Sequence, residues 1–231
     1  MNNLYNMMSR SRRGVSIREF GQKNGPVEVS QIKLSPPTER QYILRMLIDD
    51  PKGGLAIPPE LKWIFPLYGQ AYLFQSFMFG PVHPFAYVTI RHGEVTTKTD
   101  DVWHTDGFSV KKPHGPEHDY IWCSDSPTEF LPQAFTFPAD FDPMKHNVHQ
   151  YFQDHADESL KVTGKPDTIY LTDPYVVHRR APDNVGTFRT FVRVSFVPIE
   201  IEDNKNTPNP LKPTRVYTNT DLRLELSRYG A

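Results

Sequence analysis

From residue 85 onward the apolar positions fall into short runs separated by turn formers. Residues 85–91, 120–123, 168–172 and 187–198 are rich in β-branched and aromatic side chains and are bounded by proline, glycine and aspartate. That pattern predicts strands, and their number and spacing predict a sandwich or barrel. An amphipathic stretch over 142–160 predicts a helix inserted between strands. Upstream, Ser35 precedes Pro36 and Pro37, Glu39 lies in the first turn, and Tyr42, Ile43, Met46 and Leu47 fall at helical spacing. A helix is therefore expected there, stopping near Asp50. A shorter one is expected after Pro58 and Pro59, from Leu61 to Phe65, and a last one from Asp221.

Residues 63–90 contain no Asp, Glu, Lys or Arg. A run of that length invites comparison with a membrane span, but Pro66, Pro81, Pro84, Gly69, Gly80, Gln70, Gln75 and His83 interrupt it. It reads as buried core elements joined by turns, and no membrane partner is expected. Tyr72, Phe74, Phe77 and Phe79 are most simply core. The chain, 1–231, reads as one domain, with a mobile N-terminus over 1–30, a β core over 85–198 and a C-terminal extension over 199–231. The fold class is mainly β with flanking helices.

Composition sharpens this picture in two ways. Proline takes 22 of 231 positions, about twice its usual ~5%, which excludes a long-helix or coiled-coil protein. A single cysteine, Cys123, excludes an internal disulfide and a cysteine-built metal site, and suits a reducing compartment. Residues 1–13 lack the apolar stretch of a secretory signal, so a cytoplasmic location is expected. With 26 basic and 27 acidic residues the net charge is −1, which offers no general attraction to nucleic acid or anionic membrane. Arg10, Arg12, Arg13, Arg18 and Lys23 cluster near the start and read as a solvated terminus.

Histidine and carboxylate are left as candidate chemistry. In His104-Thr105-Asp106 an extended backbone projects residues i and i+2 to one side, so both can grip one ion. His178, 72 residues beyond Asp106 and just past the 168–172 strand, is the expected third ligand. Two histidines and one carboxylate leave open positions on a metal, as in non-haem Fe(II) oxygenases. Arg189 and Arg193 lie 11 and 15 residues after His178. Their even separation puts both, with Ser195, on one strand face, opposite Phe188, Val192, Val194 and Phe196. Buried arginines need anionic partners, and a small dicarboxylate would satisfy them. His146 and His149 are expected on the surface of the inserted helix. His114 and His118 are expected in a loop, and Trp103 in the core or a pocket wall.

The ordered set of His104-x-Asp106, His178, Arg189 and Arg193 resembles the Fe(II)/2-oxoglutarate-dependent oxygenases. The double-arginine spacing is most similar to the taurine dioxygenase and clavaminate synthase branch, and the first arginine also to the phytanoyl-CoA hydroxylase branch. The resemblance covers about residues 85 to 198. It implies a double-stranded β-helix (jelly-roll, cupin-like) core, with His104, Asp106 and His178 as the catalytic metal site. It also implies Fe(II), 2-oxoglutarate and O2 as cofactor and co-substrates. Thr128 resembles the threonine that touches the co-substrate in the taurine-type branch, and Arg193-Val194-Ser195 is similar to the Arg-x-Ser clasp of other branches. Arg193 is favoured for the distal carboxylate, with Arg189 nearer the metal-bound carboxylate or the substrate. The span from Asp106 to His178 is shorter than the taurine-type branch has, so most of the insert that there builds lid and pocket is missing. The implied activity is hydroxylation, or another oxidation, of an unactivated C–H of a small molecule, with release of succinate and CO2. The alternatives are a protein or nucleic-acid hydroxylase of the same superfamily and a non-catalytic metal- or ligand-binding jelly roll.

Overall fold

The computed structural model describes residues 2–10, 15–80, 83–96, 98, 100–108 and 117–212. The helix expected from Asp221, together with Arg12, Arg13, Pro81 and His114, lies outside them. In chain order the elements are α1 (Asn2–Arg10), β1 (Val27–Gln31), β2 (Gln41–Asp49), α2 (Phe65–Phe79), β3 (Phe85–Glu94) and β4 (His118–Cys123), followed by β5 (Thr128–Phe130), α3 (Val148–His155), β6 (Val162–Thr163), β7 (Thr168–Thr172), β8 (His178–Arg180) and β9 (Phe188–Val197). The strands form two antiparallel sheets. One has six strands in the order β1-β7-β4-β9-β3-β2 and the other three in the order β6-β5-β8.

Side-chain alternation gives the larger sheet two unlike faces. Val192, Val194 and Phe196 of β9 sit level with Ile90, Val88 and Ala86 of β3, and Trp122 and Tyr120 of β4 lie beside them. All of these belong to one buried cluster, to which α2 adds Leu67, Tyr68, Ala71 and Phe79. The opposite face of β9 presents Arg189, Arg193 and Ser195, as strand parity predicts, with Asp119 of β4 level with Ser195. One side of the sheet therefore builds the core and the other builds a polar floor. Phe188, expected on the apolar face, is half exposed at the end of its strand.

Phe77 and Tyr72, expected in the core, are exposed on α2, and three expectations about the elements themselves also need correction. The helix expected from Ser35 to Asp50 is an extended approach followed by strand β2. Its register against β3 slips twice, so that Ile43 and Met46 face Ile90 and Val88, three residues against two. Arg45 at the slip has φ of 43°. Such bulges break strict alternation, and the resulting spacing of apolar residues mimics a helix. The charge-free segment is not a set of short pieces: after a 3-10 turn at Pro59–Ile64, residues 65–79 form one helix. Pro66 falls in its first turn, where proline is tolerated. Gly80 ends it at φ 69°, donating its N–H to Ser76 O.

The N-terminus is the third. Arg10 is buried and donates from Nε and Nη2 to Asp173 Oδ2 at 3.0 and 2.7 Å, and from Nη1 to Asn24 Oδ1 at 2.8 Å. Phe20 is buried in a second apolar cluster with Trp103, Leu131, Phe135, Phe152 and Tyr175. The inserted helix is shorter than expected, starting at Val148 because the Asn147 side chain caps its first amides. Downstream of β9 the chain folds back along β2, with Thr207 bonded to Leu44 and Asn209 to Leu47 and Ala56. No described helix is long and apolar enough to cross a membrane.

Candidate metal centre

His178 opens β8, and the segment around His104 pairs with it through an isolated antiparallel bridge. The backbone thus brings the two histidines together, and Asp106 follows two residues later on the same side. One ligand atom from each of His104, Asp106 and His178 lies within 4.8 Å of the other two. The Nδ1 of His104 is 2.7 Å from Val102 O, and that of His178 is 2.9 Å from Val176 O. A carbonyl only accepts, so both Nδ1 atoms carry a proton and both Nε2 atoms face the site. His178 Nε2 lies 3.3 Å from Asp106 Oδ2. Either a proton on Nε2 or a cation held among the three groups satisfies that approach. Carbonyl locking of the outer ring nitrogen is also what orients metal-binding histidines generally.

Electrostatics favour the ligand-ready forms. Burial, reinforced by His178, holds the His104 imidazole down to about 4, so it is neutral near pH 7. Burial alone would push the Asp106 carboxyl up, but Arg193 and His178 hold it well below the usual carboxylate range. Packing behind the site is dense. Trp103, fully buried, donates Nε1–H to Glu158 Oε1 at 2.9 Å, and the Arg179 guanidinium lies 4.0 Å from its ring centre. Arg179 is itself held by Glu129 and Glu158 at 2.8 Å each. Trp103 is therefore core.

Arg193 pairs through Nη1 with Asp106, and its Nε lies 3.8 Å from Asp119 Oδ1. The latter is an ion-pair distance too long for a hydrogen bond, and that Nε has no hydrogen-bond partner among the described residues. Ser195 Oγ hydrogen-bonds Asp119. Burial raises Asp119, while Arg193 opposes the shift. Glu117, buried beside Asp119, is pushed up to about 8 by burial and by that neighbouring carboxylate. Arg189 takes a different position. It is buried, donating Nε–H to Ser126 O at 2.9 Å, with Nη2 at 3.1 Å from Cys123 Sγ and 3.4 Å from Thr128 Oγ1.

The structure brings together His104, Asp106, His178 and Arg193, with Ser195 one step behind through Asp119, and separately pairs Arg189 with Thr128. Of the two arginines, Arg193 touches the Asp106 carboxylate, and Arg189 stands away from it beside Thr128. Sequence reasoning missed Asp119 and Glu117, the further carboxylates near Arg193. Asp119 had a signal, a lone acid heading an otherwise apolar strand. His118 is not in a loop but buried in β4, its Nδ1 3.1 Å from Gln75 Oε1. His146 is exposed, as expected. His149 is also exposed, yet its ring centre is 6.1 Å from that of His104, so α3 places it at the rim of the site.

No protein-family model and no curated protein matches the chain. Among solved structures, AviO1 from Streptomyces viridochromogenes Tue57 is 15% identical with a TM-score of 0.39, over 91% of this chain and 99% of that one. EvdMO1 is also 15% identical with a TM-score of 0.39, over 84% of this chain but only 50% of its own. Likeness at this level bears on neither fold nor chemistry.

Proposed function

We propose that the protein is a non-haem Fe(II)- and 2-oxoglutarate-dependent oxygenase on a double-stranded β-helix core, oxidising an unactivated C–H of a small molecule. The observation that carries this is the convergence of three lone-pair donors, His104 Nε2, His178 Nε2 and an Asp106 oxygen, within 4.8 Å. Two imidazoles and a carboxylate form the donor set of non-haem Fe(II) centres with open positions. Two antiparallel sheets, with the His104 segment bridged onto the smaller one, support the jelly-roll part. A small-molecule substrate accords with the net charge of −1, which suits nucleic acid poorly.

When bound, Fe(II) with 2-oxoglutarate and O2 supplies the oxidising power. The chain's residues supply placement. His104, Asp106 and His178 hold the metal. Arg189 is buried and pairs with no carboxylate among the described residues. Beside Thr128, it is the fitting partner for the distal carboxylate of the co-substrate. Arg193 orients Asp106, and Ser195 steadies the Asp119 counter-ion behind it.

Anaerobic protein mixed with Fe(II) and 2-oxoglutarate should develop the weak visible charge-transfer band of a ferrous oxo-acid chelate, and His104→Ala should abolish it. Metal binding with neither band nor succinate formation under air would leave a non-catalytic metal-binding protein.

A further inference from the structure

A cavity of about 530 Å³ is lined by Arg40, Arg91, Arg180 and Arg189, together with Tyr42 and Glu94. None of His104, Asp106, His178, Thr128 and Arg193 lines it. Arg180 is matched by Asp101, which accepts from its Nε and Nη2 at 2.9 and 2.6 Å. Arg189 is assigned above to the co-substrate. The other two guanidiniums are not so well matched. Arg91 pairs with Asp100 through Nη1, but its Nε is buried and has no acceptor among the described residues. Arg40 meets Glu94 only at 3.5 Å, and its side chain is 71% exposed.

Position explains why Arg91 has donors to spare. On β3 it sits level with Phe191, one pleat from Thr89, which is level with Arg193, and one from Gly93, which is level with Arg189. Like charges on neighbouring positions of one sheet face repel. Burial, with Arg193 and Arg189, holds Arg91 below the ordinary range for a guanidinium. Three arginines facing one another across two strands are an arrangement that an entering anion relieves. Arg91 adjoins both the cavity and the surroundings of the metal triad, so a ligand held there lies next to the reaction site.

We propose that this cavity receives an oxyanion, a carboxylate or phosphate of the substrate, gripped by Arg91 and Arg40. That the ligand is a substrate rests on the oxygenase reading; that an oxyanion binds here does not.

The test titrates inorganic phosphate, and in a second arm acetate, into the full metal-free chain by isothermal titration calorimetry. Arg91→Gln and Arg40→Gln should each weaken the bound anion about tenfold, the loss of one charge-assisted contact. Thr128→Ala should leave it unchanged. Tighter phosphate than acetate identifies a phosphate ester as the ligand, and the reverse identifies a carboxylate. Arg40→Gln alters only an exposed side chain and keeps the test interpretable if Arg91→Gln misfolds. The proposal is overturned if neither anion binds, if both arginine variants bind as the parent does, or if Thr128→Ala costs as much, which would make the cavity the co-substrate's own. Failure of the oxygenase reading appears separately, as absence of the ferrous chelate band.

Discussion

His104 and His178, 74 positions apart, exchange both of their backbone hydrogen bonds, His104 N to His178 O at 3.0 Å and His178 N to His104 O at 2.9 Å. The spacing of the two imidazoles is thereby set by main chain, before any side-chain packing is counted. Asp106 joins them from the same short segment, and Arg193 closes the group from the larger sheet.

Asp106→Asn should abolish tight binding of a divalent metal, read by calorimetry with Mn(II). It should also lower the urea stability of the metal-free chain by about 2–3 kcal/mol, because Arg193 loses its nearest carboxylate and stays buried. Unchanged metal affinity would remove Asp106 from the site.

Glu117 and His118 are neighbours in sequence with opposite pH behaviour. Glu117 is raised from 4.5 to about 8 by burial and Asp119. The folded chain then keeps a proton that the unfolded chain releases, so this group costs stability as pH rises from about 4.5, and the cost stops growing above about 8. Glu117→Gln, which mimics the protonated acid, should match wild type at low pH and exceed it increasingly up to pH 8. Urea midpoints across that range decide it, and a constant offset would contradict the assignment.

His118 lies well below 6.5, chiefly through burial and then through His83. Here the unfolded chain binds the proton first, so stability falls as pH drops below 6.5. His118→Asn keeps a donor for Gln75 and should flatten that acid limb in urea titrations. An unchanged slope would place the proton uptake elsewhere.

Gly107 has a φ of 70°, and a Cβ added there would land on the Glu117 carboxyl. Gly107→Ala should therefore weaken metal binding by disturbing Asp106 next door, in addition to the roughly 1–2 kcal/mol of fold stability that an L-residue in the left-handed region costs. Adding Glu117→Ala should restore part of the loss, which a Mn(II) titration of the double variant would register.

Arg10→Ala leaves the buried Asp173 carboxylate without its guanidinium. A loss of about 3–5 kcal/mol is expected on chemical denaturation. A much smaller loss would mean that α1 contributes little to the fold.

Strand parity was legible without any structure. It placed Arg189, Arg193 and Ser195 on one face of β9 and Val192, Val194 and Phe196 on the other, because alternation is a property of the extended backbone itself. The i, i+2 pairing of His104 and Asp106 was legible for the same reason. Arg10 is the counter-example: among arginines at the start of the chain it looked solvated, yet its partner is 163 residues away. The bulged strand β2 was misread because its slips are imposed by β3, and α2 because Pro66 falls in its first turn, where a helix accepts it. Tertiary structure alone decided that Arg193 meets Asp106 while Arg189 meets Thr128, and that Arg91 faces both. Local pattern sets which side of an element a residue occupies. Which charge it meets there depends on sheet pairing between distant segments, and no local pattern carries that information.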